Sequence, residues 1–405
     1  MEDKKGNILL LEFFLWIRAL IEFVPAVREY SPMLVNVLTV LLVYVNLFAL
    51  VDGKVVGKAL FGFLLIYAII VVNAICGYIS ISLFSFLYGV AQWVIWPVSL
   101  YYLVDSRKTK SLNRLFYVLT ALILFTSITT YYGNLRFPGA SRALAAIWSD
   151  DTGTAHFYQS LNIGGFDFIY LLVLLIPLWI YAIRANSFKH NLWKIILFAL
   201  SIVFSFITII TSEYTTALLF SFASLLLFIL PRSFSRRKLL LYLVSFFIII
   251  FIGRSVTSHL FTRLADRAES PIVSERLTSL SALLSGETMD GDAGMREELM
   301  RKSWDSFLNN PLTGSSQVGG HSFILDAMGH YGVFGLFLVF VVFYGLYRLC
   351  VFPHKGTMFY GYCFFVFISQ IGLAFVNTHI IYHVFIILIP VISYLFSPKN
   401  MNRVL

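Results

Sequence analysis

His321 stands in Gly319-Gly320-His321-Ser322-Phe323, directly before a long apolar stretch. A histidine in such a place suits general base work, because its ordinary pKa lies near neutral pH. The adjoining glycines let backbone approach a ligand closely. The plainer account is a loop histidine bound to water or backbone. His330 follows Asp326 by four residues, which predicts a local pair at the opening of the next helix. His379 and His383 also stand four apart, with no further ligand types beside them, so no metal site is expected. A second group is basic. Arg136, Arg142, Arg276, Arg296 and Arg301 fall in two polar stretches, residues 133–164 and 255–329.

The rest of the chain decides what kind of element can carry these residues. It has 405 residues, of which 59% are hydrophobic and 13% charged, and 40 are Phe. A soluble domain is roughly 45–50% apolar and about 25% charged. This composition excludes a cytosolic enzyme, a secreted domain and a disordered chain, and it requires a bilayer as solvent. Cys76, Cys350 and Cys363 lie in or beside apolar runs, at spacings that fit neither a CxxC metal site nor a disulfide framework.

A span needs about 20 mostly apolar residues. Twelve segments qualify: 8–24, 32–51, 58–77, 83–104, 113–132, 165–183, 192–211, 214–231, 238–254, 330–350, 358–376 and 379–397. The pair 192–211 and 214–231 is separated only by Ser212 and Glu213. All are expected to be helices, because lipid offers no partner to open backbone groups. The first carries Glu12, Arg18 and Glu22 and lacks an A-x-A-like cleavage site, so it reads as a retained span rather than a signal peptide. Arg18 and Glu22 are placed to pair on one helix face. The expected fold is an all-α integral membrane bundle of about twelve spans, one polytopic domain over 1–405. No internal repeat of the transporter kind is visible.

With the N-terminus inside, every expected inner loop is basic, as the positive-inside rule requires. That reading accounts for the formal charge of +9 and leaves no nucleic-acid partner expected. Residues 133–164 and 255–329 then lie outside. Nine of the ten bases on that outer side are Arg, against 8 Arg and 11 Lys inside. A topology signal has no preference between the two, whereas a planar guanidinium grips phosphate oxygens bidentately and an ammonium does not. The bias points to an anionic, phosphorylated ligand. The alternative is solvated ion pairing, for example of Arg301 with Asp305. Residues 294–310 have the pattern of an amphipathic helix, begun by Asp292 and Gly294 and ended before Pro311, with Leu299, Trp304 and Leu308 as an apolar stripe.

One stretch carries an ordered series of features: Arg296, Trp304, then Asn310-Pro311-Leu312-Thr313-Gly314. His321-Ser322-Phe323-Ile324-Leu325 and Gly332-Val333-Phe334-Gly335 complete it. The stretch resembles the O-antigen polymerase and ligase superfamily of bacterial polysaccharide-assembly membrane proteins. Their hallmark is an Arg-bearing helix, an NPLxG turn, His-Asn/Ser-x-x-Leu, and Gly-x-x-Gly entering a membrane helix. The motif covers about 40 residues, and the span number and large outer loop agree with it.

The resemblance implies a GT-C-like glycosyltransferase in the bacterial plasma (inner) membrane, with its site on the periplasmic or outer face and no cofactor. Its donor and acceptor would be undecaprenyl-diphosphate-linked oligosaccharides, with room for a chain-length regulator as a protein partner. By the same resemblance, Arg296 holds the diphosphate and His321 is the base. Ligases carry a Ser-Arg-Gly-like turn between two central spans; here that region reads Thr211-Ser212-Glu213-Tyr214. The second phosphate-binding base then falls to Arg142 or Arg276, with Arg136 and Arg301 as further candidates. This departure favours a polymerase over a ligase. A flippase for the same lipid-linked sugars is the non-enzymatic alternative, but beyond the first span intramembrane charge is sparse.

Overall fold

A backbone in hydrocarbon must satisfy its own hydrogen bonds, and the computed structural model of the chain is helical, with no strand among the described residues. It describes residues 20–21, 23–30, 109–144, 152–185, 192–229, 237–239, 241–242, 244–245, 254–267, 274, 277–278, 281, 292–377 and 384–395. In chain order the α-helices described are α1 Pro25–Tyr30, α2 Thr109–Arg136, α3 Ala140–Ala143, α4 Thr152–Ser160, α5 Phe166–Ala185, α6 Leu192–Thr211 and α7 Thr215–Ile229. They continue with α8 Arg254–Asp266, α9 Asp292–Asn309, α10 Phe323–Tyr331, α11 Val333–Leu346, α12 Phe359–Val376 and α13 Ile389–Leu395.

Among the described residues, four helices are long and apolar enough to cross a membrane: Arg114–Arg136, Phe166–Ala185, Leu192–Thr211 and Phe359–Val376. They fall on the expected spans 113–132, 165–183, 192–211 and 358–376. Two shorter apolar helices, Thr216–Ile229 and Val333–Leu346, fall on 214–231 and 330–350. The expected spans 32–51, 58–77 and 83–104 lie outside the described residues, and so do Arg18 and Glu22. The spans 8–24, 238–254 and 379–397 are described only in part.

One boundary differs from expectation. The span expected over 330–350 is broken at Gly332, whose φ of 58° and ψ of −135° leave the helical region. Residues 323–331 therefore form a separate short helix, α10. The weakest expected separation, by contrast, is a true turn. Glu213 adopts a left-handed φ of 63°, and α6 and α7 end and begin on either side of it.

The chain divides into two units, Met1–Thr126 with Gln159–Asn162 and His383–Leu405, and Ser127–Tyr158 with Ile163–Tyr382. In the first, the Thr126 hydroxyl donates to the Phe23 carbonyl at 2.8 Å, and Asn162 donates to Thr126 through its side-chain amide at 3.3 Å. In the second, α5 is the core: every residue from Phe168 to Ala182 is buried. It packs against α6, α7 and α12. A helix hydrophobic all round needs such neighbours on every side. Some hydroxyls within these apolar helices bond a carbonyl of their own helix. Ser221 donates to the Ala217 carbonyl at 2.7 Å, and Ser201 to Leu197 at 2.8 Å.

Arg184 fixes the relative direction of three helices. From the last turn of α5 its guanidinium donates to the Leu227 and Phe228 carbonyls at the end of α7 and to the Tyr362 hydroxyl at the start of α12, each at 2.9 Å. It closes orphaned carbonyls at a helix C-terminus. Hence α5 and α7 run parallel and α12 runs against them. Ring contacts at the other end agree: Tyr214 lies 5.7 Å from Phe166 and 5.8 Å from Tyr170. The starts of α5 and α7 and the end of α12 share that end, and both expected functional stretches attach there.

Candidate functional site

Residues 133–144 and 152–158 form a small folded cap on that end. Asn134 Oδ1 accepts from the Ser141 amide at 3.1 Å and its hydroxyl at 3.0 Å. Ala140, Leu144, Ala155 and Ile163 form a buried cluster, with Phe137 and Tyr158 packed on it. The Tyr214 hydroxyl donates to the Ser141 carbonyl at 3.1 Å. That bond seats the 211–214 turn against α3, and Arg142 is the next residue along α3. Its side chain is half-buried. Arg136, at the end of α2, is exposed and stands over the Phe137 ring at 5.5 Å.

His321 lies in the connection between α9 and α10. The expected helix over 294–310 is present as Asp292–Asn309. Its packing face is not the expected apolar stripe. Ser303 is 0% exposed and Ser306 8%, whereas Trp304 is 43% and Leu308 56% exposed. The reason is close backbone approach. A Cβ on Gly319 would strike the Leu299 carbonyl, and one on Gly329 would come within 2.8 Å of the Ser303 carbonyl. Only small side chains fit between surfaces this close, so serines line the contact and the large residues face outward.

The turn that follows is tied at several points. The Gly314 amide donates to the Asn310 carbonyl at 2.9 Å, Ser315 to Gly329 at 2.8 Å and Val333 to Pro311 at 2.8 Å. Ser322 caps α10, its hydroxyl accepting from the Leu325 amide at 3.1 Å. The Phe323 amide donates to the Asn377 carbonyl at 2.8 Å. That bond anchors the start of α10, and with it His321, at the end of α12. The Asn377 side-chain nitrogen is buried and has no partner among the described residues.

The expected Asp326–His330 pair does not form. The Asp326 carboxylate turns back along its helix: Oδ1 accepts from the Ser303 hydroxyl at 2.5 Å and the Gly320 amide at 3.2 Å, and Oδ2 accepts from the Ser322 amide at 2.9 Å. Helix starts are rich in orphaned donors, and a carboxylate one turn in reaches them more readily than a side chain four residues on. His330 donates instead through Nδ1 to the Ser315 carbonyl at 3.0 Å. It closes α10 rather than opening the next helix.

His321 itself is half-buried, and its imidazole makes no hydrogen bond to any described residue. Arg301 is exposed and lies 3.8 Å from Asp305, the ion pair expected as the alternative to ligand binding. The Arg296 side chain and all of Arg276 lie outside the described residues, as do His379 and His383. Among the described residues no group of three His, Cys, Asp or Glu converges as a metal site would require. Thus His321 and Arg142 sit on segments fastened to one end of the α5–α7–α12 packing. Sequence reasoning missed Ser303; its spacing of three from Ser306 is the signal for a small-residue face.

The close approach at Gly319 has a measurable consequence. Gly319→Ala is expected to lower thermal stability in detergent by about 1–3 kcal/mol, the usual cost of overpacking. Gly345→Ala, in α11 with nothing within 4 Å of the added carbon, is the control and should be neutral or stabilising. Equal melting temperatures for both variants would contradict the contact.

No family model, curated protein or solved structure matches this chain.

Proposed function

We propose that this protein is a membrane-embedded glycosyltransferase that polymerises lipid-linked oligosaccharide repeat units, a member of the O-antigen polymerase and ligase superfamily with GT-C-like character. The observation that carries the reading is the joint placement of His321 and Arg142. The loop of the resembling motif and the cap bearing a candidate phosphate-binding arginine are fastened to the same end of one helix packing, through Phe323–Asn377 and Tyr214–Ser141. Glu213 stands where ligases place an arginine, and the 211–214 turn it belongs to abuts α3. This arrangement supports Arg142 as the substitute base.

The chemistry follows from the residue types. The acceptor is the non-reducing sugar hydroxyl of one lipid-linked repeat unit. Its proton passes to His321 as the oxygen attacks the anomeric carbon of the donor glycan. The bond from that carbon to the diphosphate breaks, and undecaprenyl diphosphate leaves with the bonding pair. Arg142 and Arg296 offset the charge that develops on the leaving group, a preorganised electrostatic contribution. The donor arrives activated, so no nucleotide is required. The proposed setting is the bacterial plasma membrane, with this end of the helices on the outer face and about twelve spans in all.

Two experiments test the reading. Purified protein supplied with one synthetic lipid-diphosphate repeat unit should yield a ladder of products. Transfer to a core lipid with no ladder would make it a ligase, and no transfer to either acceptor would remove the enzyme. For orientation, Ser285→Cys, in the 255–329 stretch, should react with an impermeant thiol reagent in intact spheroplasts. Reaction only after lysis would reverse the topology.

A further inference from the structure

The amides around His321 are held by two side chains that the family motif does not contain. Asp326 accepts from the Gly320 and Ser322 amides, one on each side of His321, and from the Ser303 hydroxyl. Ser303 in turn accepts the Gly319 amide at 2.9 Å. The Asp326 amide closes the ring by donating to the Ser322 carbonyl at 2.7 Å. Ser303 is fully buried on α9 and Asp326 half-buried on α10, so the clamp joins both helices to the loop.

The loop needs such a clamp. Gly320 has a φ of 77° and no neighbour within 4 Å of a would-be Cβ, so packing does not restrain it. Glycine has the widest backbone freedom of any residue. The His321 imidazole makes no hydrogen bond of its own to a described residue, so its aim depends on the backbone that carries it. Hydrogen bonds to a carboxylate are roughly twice as strong as neutral ones, which makes Asp326 the dominant restraint.

We propose that Asp326, braced by Ser303, is a positioning residue for His321: it fixes the backbone on both sides of the base without touching substrate. This rests on the reading of His321 as the base. Asp326→Asn keeps the shape but turns one acceptor into a donor facing an amide N–H. Misplacement of a reacting group by about 1 Å costs on the order of 10²-fold in rate. The expected result is therefore a fall in kcat of about that size with KM within about twofold, since donor affinity lies with the arginines.

The test uses the full chain in nanodiscs with the synthetic lipid-diphosphate repeat unit. Amide exchange by mass spectrometry over residues 315–325 is measured beside turnover for Asp326→Asn, Ser303→Ala and His321→Ala. Faster exchange around residues 319–322 in Asp326→Asn, a kcat loss and an unchanged KM support the proposal. Wild-type exchange overturns it, as does faster exchange with full turnover while His321→Ala is inactive. Full turnover in His321→Ala overturns the base reading and the positioning role together. Ser303→Ala decides the matter if Asp326→Asn does not fold. It removes the brace and the Gly319 bond, together with a longer contact to the Leu299 carbonyl at 3.3 Å within α9, and should give a smaller loss in kcat with the same loosening of the loop; wild-type values on both measures count against the proposal.

Discussion

His321→Ala is expected to lower the initial rate of ladder formation by about 10²–10⁴-fold, the usual cost of losing a general base. The protein should still fold and insert, because the imidazole is half-buried in a loop and fills no core. Donor binding should persist, since the arginines remain. His330→Ala is the matched control. It loses one hydrogen bond to the Ser315 carbonyl, a contribution of about 0.5–1.5 kcal/mol to stability, and should leave most of the rate intact. Equal, mild losses at both positions would reduce His321 to an ordinary loop histidine.

The second large effect is expected at the arginines. Arg142→Lys and Arg296→Lys keep the charge but lose the planar fork that meets two phosphate oxygens at once. Each is expected to lower turnover by about 10²–10³-fold, the range for removing one preorganised donor from a developing anion. Product ladders compared at equal protein level provide the measurement. Near-normal polymer from Arg142→Lys would return the role of second base to Arg276. Near-normal polymer from Arg296→Lys would leave that residue structural. Arg301→Lys is expected to do little, because Arg301 is exposed and its contact with Asp305 is a surface ion pair of the kind that contributes least.

The helical class and the positions of six apolar helices were legible in the sequence, because hydrocarbon leaves the backbone no other way to satisfy its polar groups. The amphipathic helix before Pro311 was legible too, to within two residues at its start. Spacing located His321 and the glycines around it. The partners of side chains were not legible. Asp326 was expected to meet His330, four residues along the same helix. It meets instead two loop amides and a serine on another helix, because a helix start presents unsatisfied donors that no spacing rule counts. The stripe of Leu299, Trp304 and Leu308 named the wrong packing face for a similar reason. Periodicity reports which side chains are apolar, whereas the distance between two backbones decides which will fit, and at Gly319 and Gly329 that distance admits only small side chains on α9.

The sequence by itself determined that this chain belongs in a bilayer, where its helices lie, and which residues could do acid–base and phosphate chemistry. Only the tertiary structure decided that the His321 loop and the Arg142 cap meet the same end of the helices. Its agents are single long-range bonds: Arg184 to Leu227, Phe228 and Tyr362, Tyr214 to Ser141, and Phe323 to Asn377. Each joins segments from 43 to 178 residues apart where a side chain is the donor. Hydrophobic burial is non-directional and sets only that the helices pack. Hydrogen bonds require a particular donor opposite a particular acceptor, so they fix which helix ends lie together, and that pairing exists only once the chain has folded.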